Sequence, residues 1–173
     1  MKTFGKDTTA VLVIDMQDFF LDKFRPEKRR ALIEQQSKVI DFCSKHQIAI
    51  ILLEYKDRGQ TTASLRHILK KGTNVNVEII TKDSNGGFTN TDLDEVLKHK
   101  NVKNIVLMGI NGSGCIQDTA IGALNRGYKI LTSGEVIASS TNRDRDLATS
   151  RKWYSKKGHF FESTDELLAQ VLI

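Results

Sequence analysis

Residues 103–128, KNIVLMGINGSGCIQDTAIGALNRGY, carry an apolar run, a glycine-punctuated turn and a helical pattern in direct succession. Ile105–Met108 is apolar without alternation, the pattern of a strand buried on both faces. A polar turn, Gly109 to Gly114, follows. Cys115 opens a helix with Ile116, Ala120, Ala123 and Leu124 as its small and apolar positions, and Gly127 is the C′ residue. Cys115 therefore stands at a helix N-terminus, where unpaired N–H groups and the positive end of the dipole favour a thiolate. The turn fits none of the common glycine signatures. Gln117 occupies the place of the third glycine of a dinucleotide loop, and no Gly-Lys-Ser/Thr closes a phosphate loop. Asn111 and Cys115 fill the glycine positions of a G-x-S-x-G elbow around Ser113.

The same strand-then-helix grammar runs along the chain. Ala10–Ile14 is a buried strand ending in Asp15. Pro26 sits in the first turn of a helix that reaches about Lys45, with Leu32, Val39, Ile40 and Cys43 on its apolar side. Ile48–Leu53 is the second strand. A short helix, Thr62–Lys70, is stopped by Gly72, and Val75–Ile80 is the third strand with Lys82 just beyond it. Asp83–Asn90 is a loop, after which Thr91 or Asp92 caps a helix to about His99. Beyond the central unit lie a strand at Tyr128–Thr132 and a loop at Glu135–Ser140. A helix capped by Thr141 then runs to Lys157 and is ended by Gly158. A strand at His159–Phe161 and a helix from Thr164 to about Val171 complete the series. Apolar strands alternating with helices predict an α/β protein, a three-layer Rossmann-like fold with helices on both faces of a six-stranded parallel sheet. Right-handed crossovers give the order 3-2-1-4-5-6. A single domain over residues 1–173 is expected, with no linker or repeat.

Composition narrows the function classes. Hydrophobic content of 39% and charged content of 27% are those of an ordinary globular protein. No signal peptide and no membrane span are visible. Two cysteines make no disulfide framework, so a reducing cytoplasm is expected. The net charge of +5 gathers at Lys23–Arg30 and Arg151–Lys157. Both clusters read as solvated helix faces, without any nucleic-acid-binding motif, so neither nucleic acid nor membrane is expected as a partner. His46, His67, His99 and His159 show no ligand spacing, and no metal or other cofactor is expected.

In such a sheet, ligands bind beyond the carboxyl ends of the strands, where the order reverses. Asp15 ends the first strand, Lys82 follows the third and Cys115 follows the fourth, so all three converge on one rim. Their types suit a nucleophile, a base that deprotonates it and a cation that steadies negative charge. Taken singly they read as a buried cysteine, a turn-capping aspartate and a surface lysine; together they read as catalytic. Gln17, Phe20 and Phe88 either line the pocket or pack. Tyr55 and Trp153 reach the site or a subunit interface. Ser113 has no paired histidine.

Val13-Ile14-Asp15-Met16-Gln17-Asp18-Phe19-Phe20, then Lys82 with Phe88 and Thr91-Asp92-Leu93, then Gly109-Ile110-Asn111-Gly112-Ser113-Gly114-Cys115, resemble the isochorismatase-like cysteine hydrolases. The resemblance extends nearly end to end. It implies Cys115 as nucleophile, Asp15 as general base and Lys82 as their assistant. It further implies a non-proline cis peptide at Ile110–Asn111, with the backbone N–H groups of Asn111 and Cys115 as an oxyanion hole; Gln17, Phe20, Phe88 and Ile110 are the candidate substrate contacts. Nicotinamidases of the family carry an Asp-x-His…His metal site after the second strand, where this chain has Glu54-Tyr55-Lys56-Asp57-Arg58. Siderophore-pathway isochorismatases generally lack the cysteine, so Cys115 favours thiol chemistry over vinyl-ether cleavage. Gly86 and Gly87 stand where relatives often carry Ser-Ala, which is expected to loosen that wall. The expected activity is metal-independent cleavage of a C–N bond in a small amide, ureido or carbamoyl compound through a thioester. The alternative is a noncatalytic small-molecule-binding or scaffold protein of the same fold. Relatives often assemble as oligomers whose neighbours wall the pocket, so a homo-oligomer is expected.

Overall fold

A computed structural model describes residues 4–72, 76–139 and 144–171, with only the backbone course given for 144–147. Its strands are β1 (Thr9–Ile14), β2 (Ala49–Tyr55), β3 (Val77–Lys82), β4 (Asn104–Ile110), β5 (Lys129–Ser133), β6 (Ile137–Ala138) and β7 (His159–Phe161). Its helices are α1 (Asp18–Leu21), α2 (Pro26–His46), α3 (Ala63–Lys71), α4 (Leu93–His99), α5 (Cys115–Leu124), α6 (Asp144–Lys157) and α7 (Thr164–Ala169). The expected strand start at Val75 and the expected cap at Thr141 lie outside the described residues.

All pairings between named strands are parallel, in the order β3-β2-β1-β4-β5-β7. This is the expected six-strand order, with one addition. The stretch expected to be a plain loop after β5 contains β6, which pairs with Gly109 and Ile110 at the end of β4. The two residues of β6, between Val136 and Ser139, are too short to show a period. Tertiary bonds define β6 instead: Gly109 N–H donates to Val136 O at 3.0 Å, Gly112 N–H to Ala138 O at 3.0 Å, and Gln36 Nε2 of α2 to Val136 O at 2.9 Å.

Every residue of β1 and β4 is buried, which requires cover on both sheet faces. Their apolar runs stand side by side in that core, register pairing Val11 with Val106 and Leu12 with Leu107. Gly109 stands where β4 passes closest to β1. Its φ is +138°, and a Cβ there would meet Ile14 O at 2.1 Å, so only glycine fits. Pro26 starts α2 as the sequence predicts. α5 closes on Gly127 (φ +86°) in a Schellman motif: Gly127 N–H reaches Leu124 O at 3.0 Å and Tyr128 N–H reaches Ala123 O at 3.1 Å. Among the described residues no helix is long and apolar enough to cross a membrane.

Candidate active site

β1 and β4 are adjacent, and the chain leaves the sheet in opposite directions from them. Asp15 comes straight off β1 with φ +54°, a left-handed conformation that aspartate tolerates better than most residues. Its N–H is held by Leu53 O at 3.0 Å, so the turn is fixed by β2. Lys82 is the last residue of β3. Its Nζ lies 3.0 Å from Asp15 Oδ2 and 3.0 Å from Ser84 O, and 4.5 Å from the centre of the Tyr55 ring. The Lys82 and Asp15 side chains are 0% and 2% exposed, a desolvated ion pair rather than a surface one. The other carboxylate oxygen, Oδ1, is buried without a hydrogen bond of regular geometry. The half-buried thiol of Cys115 lies near enough for it and the Asp15 carboxylate to shift each other's titration.

Cys115 begins α5 on a turn held from several sides. The Asn111 carbonyl accepts from Gly114 N–H at 3.1 Å and from Ile116 N–H at 3.2 Å. The buried Tyr154 of α6 donates its hydroxyl to Gly112 O at 2.8 Å. Thr119 Oγ1 donates to Cys115 O at 2.7 Å and accepts from Gly87 N–H at 2.9 Å, joining the nucleophile's helix to the loop after β3. The Ile110–Asn111 peptide is cis.

The charge states differ from the thiolate that a helix N-terminus suggests. Burial pushes the Cys115 thiol up to about 12, and the neighbouring Asp15 carboxylate adds to the shift; Lys82 opposes it but is outweighed. Burial also raises the Asp15 carboxyl above its ordinary value, against the pull of Lys82 and the hydrogen bonds from Cys115 and Lys82. The site is therefore a thiol beside a strengthened base.

The other expected site residues divide. Phe20 stands edge-on to Tyr55, with ring centres 6.2 Å apart, and so lies one ring away from Lys82. Gln17 is fully buried with both amide hydrogens committed, Nε2 donating to Tyr55 O at 2.9 Å and to Gly59 O at 2.6 Å; Oε1 accepts from Tyr55 N–H at 2.8 Å. It fastens the loop after β2 instead of offering an amide to a ligand. Phe88 stacks on Tyr128 at 6.0 Å and would meet a Cβ on Gly122, about 10 Å along α5 from Cys115. It packs the far half of that helix. The Ile110 side chain is 1% exposed within the sheet, so its backbone alone borders the turn. Nor does Gly87 loosen the wall as expected: a Cβ on it would lie 2.5 Å from Leu53 Cδ1, so that glycine permits tight packing. Trp153 packs on Tyr154 with ring centres 4.9 Å apart. Sequence reasoning passed over Asn85, whose Oδ1 lies 3.7 Å from Cys115 Sγ, and over the positioning residues Thr119 and Tyr154. Asn85 is three residues after Lys82 in the same loop, and that was its only signal.

A parallel α/β sheet with a cysteine, a carboxylate and a lysine at its switch point defines the class. The isochorismatase domain family matches residues 9–152, and the chain belongs to the isochorismatase family. Isochorismatase family protein 1B of Dictyostelium discoideum is 23% identical over 175 residues, covering 99% of this chain and 83% of that protein. A cysteine hydrolase from Pseudomonas syringae pv. phaseolicola 1448A shares the fold with a TM-score of 0.79 at 21% identity, covering 98% of this chain and 95% of the other. N-carbamoylsarcosine amidase from Thermoplasma acidophilum does so with a TM-score of 0.73 at 18% identity, covering 95% and 98%.

Proposed function

We propose that the protein is a metal-independent cysteine amidohydrolase that cleaves a C–N bond in a small amide, ureido or carbamoyl compound. The observation that carries this reading is the meeting of Cys115, Asp15 and Lys82, drawn from α5, β1 and β3. The family supplies hydrolase chemistry, and two relatives of the same fold carry the names cysteine hydrolase and amidase.

Asp15 takes the Cys115 proton as sulfur attacks the substrate carbonyl, forming the C–S bond. With the thiol held near 12, deprotonation accompanies attack instead of preceding it. The N–H groups of Asn111 and Cys115 are the donors assigned to the tetrahedral oxyanion. Asp15 returns the proton to the leaving nitrogen, the C–N bond breaks, and an amine or ammonia departs from the thioester. Asp15 then deprotonates water, which attacks the thioester; sulfur leaves, recovers the proton, and the acid product is released. Lys82 holds Asp15 in place and favours its ionised form against the effect of burial. Phe20 and Tyr55 form an aromatic flank for the substrate.

The test is a screen of small amides, ureides and carbamoyl compounds for ammonia release, run with wild type and Cys115→Ala. Turnover by wild type and a loss of about 10³-fold or more in the variant is expected. Equal turnover by both proteins sinks the thiol mechanism. The rival reading, a noncatalytic binding protein, predicts that a compound stabilises the fold yet is returned unchanged.

A further inference from the structure

We infer that Asn85 is a specificity-determining residue of the thiol site, selecting a neutral carboxamide-type group beside the reacting carbon; this rests on Cys115 being the nucleophile. Asn85 Oδ1 accepts from the thiol at 3.7 Å from Sγ. Asp15 and Asn85, the two acceptors available to the thiol, differ in burial. Asp15 is buried, whereas Asn85 is exposed, so the carboxamide covers the sulfur from solvent, the side from which a substrate arrives.

The loop that carries Asn85 is fixed on both sides of it. Tyr55 Oη donates to Asp83 O at 2.8 Å, Lys82 Nζ donates to Ser84 O at 3.0 Å, and Gly87 N–H donates to Thr119 Oγ1 at 2.9 Å. Lys82 and Thr119 are the residues that also touch Asp15 and Cys115. The backbone at 85 is thereby referenced to the nucleophile and base, while its side chain is exposed to solvent. When substrate approaches sulfur, the carboxamide must give up Sγ and find a new partner there. A carboxamide has a donor and an acceptor side by side. A substrate amide or ureide presents the complementary pair and satisfies both. A carboxylate presents acceptors alone and leaves Oδ1 facing an oxygen.

Two alkylating reagents of nearly equal size test this without knowledge of the natural substrate. In either reaction Cys115 sulfur attacks the methylene carbon, the C–S bond forms, iodide leaves with the C–I electron pair, and Asp15 receives the thiol proton. Iodoacetamide carries the carboxamide and iodoacetate the carboxylate. Rates at Cys115 are read by peptide mass spectrometry over pH 6 to 10 for wild type, Asn85→Ala and Asn85→Asp, with far-UV circular dichroism verifying the fold. The preference of wild type for iodoacetamide, divided by that of free cysteine, is expected to fall about five-fold in Asn85→Ala, the worth of one hydrogen bond of typical net strength. In Asn85→Asp the added charge should slow both reagents and move the pH profile upward. A reactive Cys115 whose reagent preference is unchanged in both variants overturns the role of Asn85 and leaves the nucleophile standing. A wild-type Cys115 inert to both reagents across the pH range overturns both.

Discussion

Cys115 and Asp15 show how burial and charge compete over a single proton. Lys82 draws both groups toward ionisation, yet desolvation is the larger effect on each. The first consequence is kinetic. Alkylation of Cys115 should be slow at neutral pH for a cysteine at a helix N-terminus and should climb as pH is raised toward 12. A plateau already reached near pH 7 would mean a preformed thiolate. The second consequence is thermodynamic. Replacing Lys82 by methionine leaves the Asp15 carboxylate buried without its cation, which should lower stability at pH 7 by about 3 kcal/mol. A carboxyl raised in the folded state contributes stability below its unfolded pKa and loses it as pH rises through the folded value. Without Lys82 the folded value rises further, so the deficit against wild type should shrink on acidification from pH 7 to pH 4. Urea unfolding at several pH values reads this directly, and a deficit independent of pH would contradict it.

Strand β4, the turn at 111–114 and helix α5 act as one element because neighbours clamp them at each joint. Gly109 packs against the end of β1, and Gly109→Ala combines a positive φ with a Cβ driven into the β1 backbone. A loss of about 3 kcal/mol or more is expected from the urea midpoint. Tyr154→Phe removes one buried hydrogen bond to Gly112 O and should cost about 1–2 kcal/mol. It should also slow alkylation at Cys115 while leaving its pH dependence in place, because no charge near sulfur has changed. The main parts of this element were legible. The apolar run at Ile105–Met108 announced the strand, and Gly127 announced the end of α5. The clamps were not, for they arise from partners remote in sequence: Tyr154 lies 42 residues from Gly112 and Gln36 100 from Val136. For Gln17 and Phe88 the choice between lining and packing was open for a related reason. An amide or a ring near a catalytic residue in sequence reveals nothing of its partner, and here those partners are the Tyr55 and Gly59 carbonyls and the Tyr128 ring.

Across the whole molecule, a parallel sheet whose order reverses beside β1 brings residues 15, 82 and 115 together. Buried strands on either side of the reversal make the rim rigid, and the loops leaving it supply the chemistry. That arrangement was readable from alternating apolar and helical segments, since strand order follows from crossover rules and not from any single contact. The charge state at the site was not readable, because it depends on the depth of burial. The central claim is that Cys115 sulfur becomes covalently bonded to the acyl part of the substrate. Acid quenching during turnover of an amide found by the screen, followed by intact-mass and peptide mass spectrometry, tests it most directly. The account predicts an adduct on Cys115 equal in mass to the substrate less its leaving amine, labile to hydroxylamine and missing from Cys115→Ala. Sustained turnover by Cys115→Ala, with no adduct on the wild-type enzyme, would contradict it.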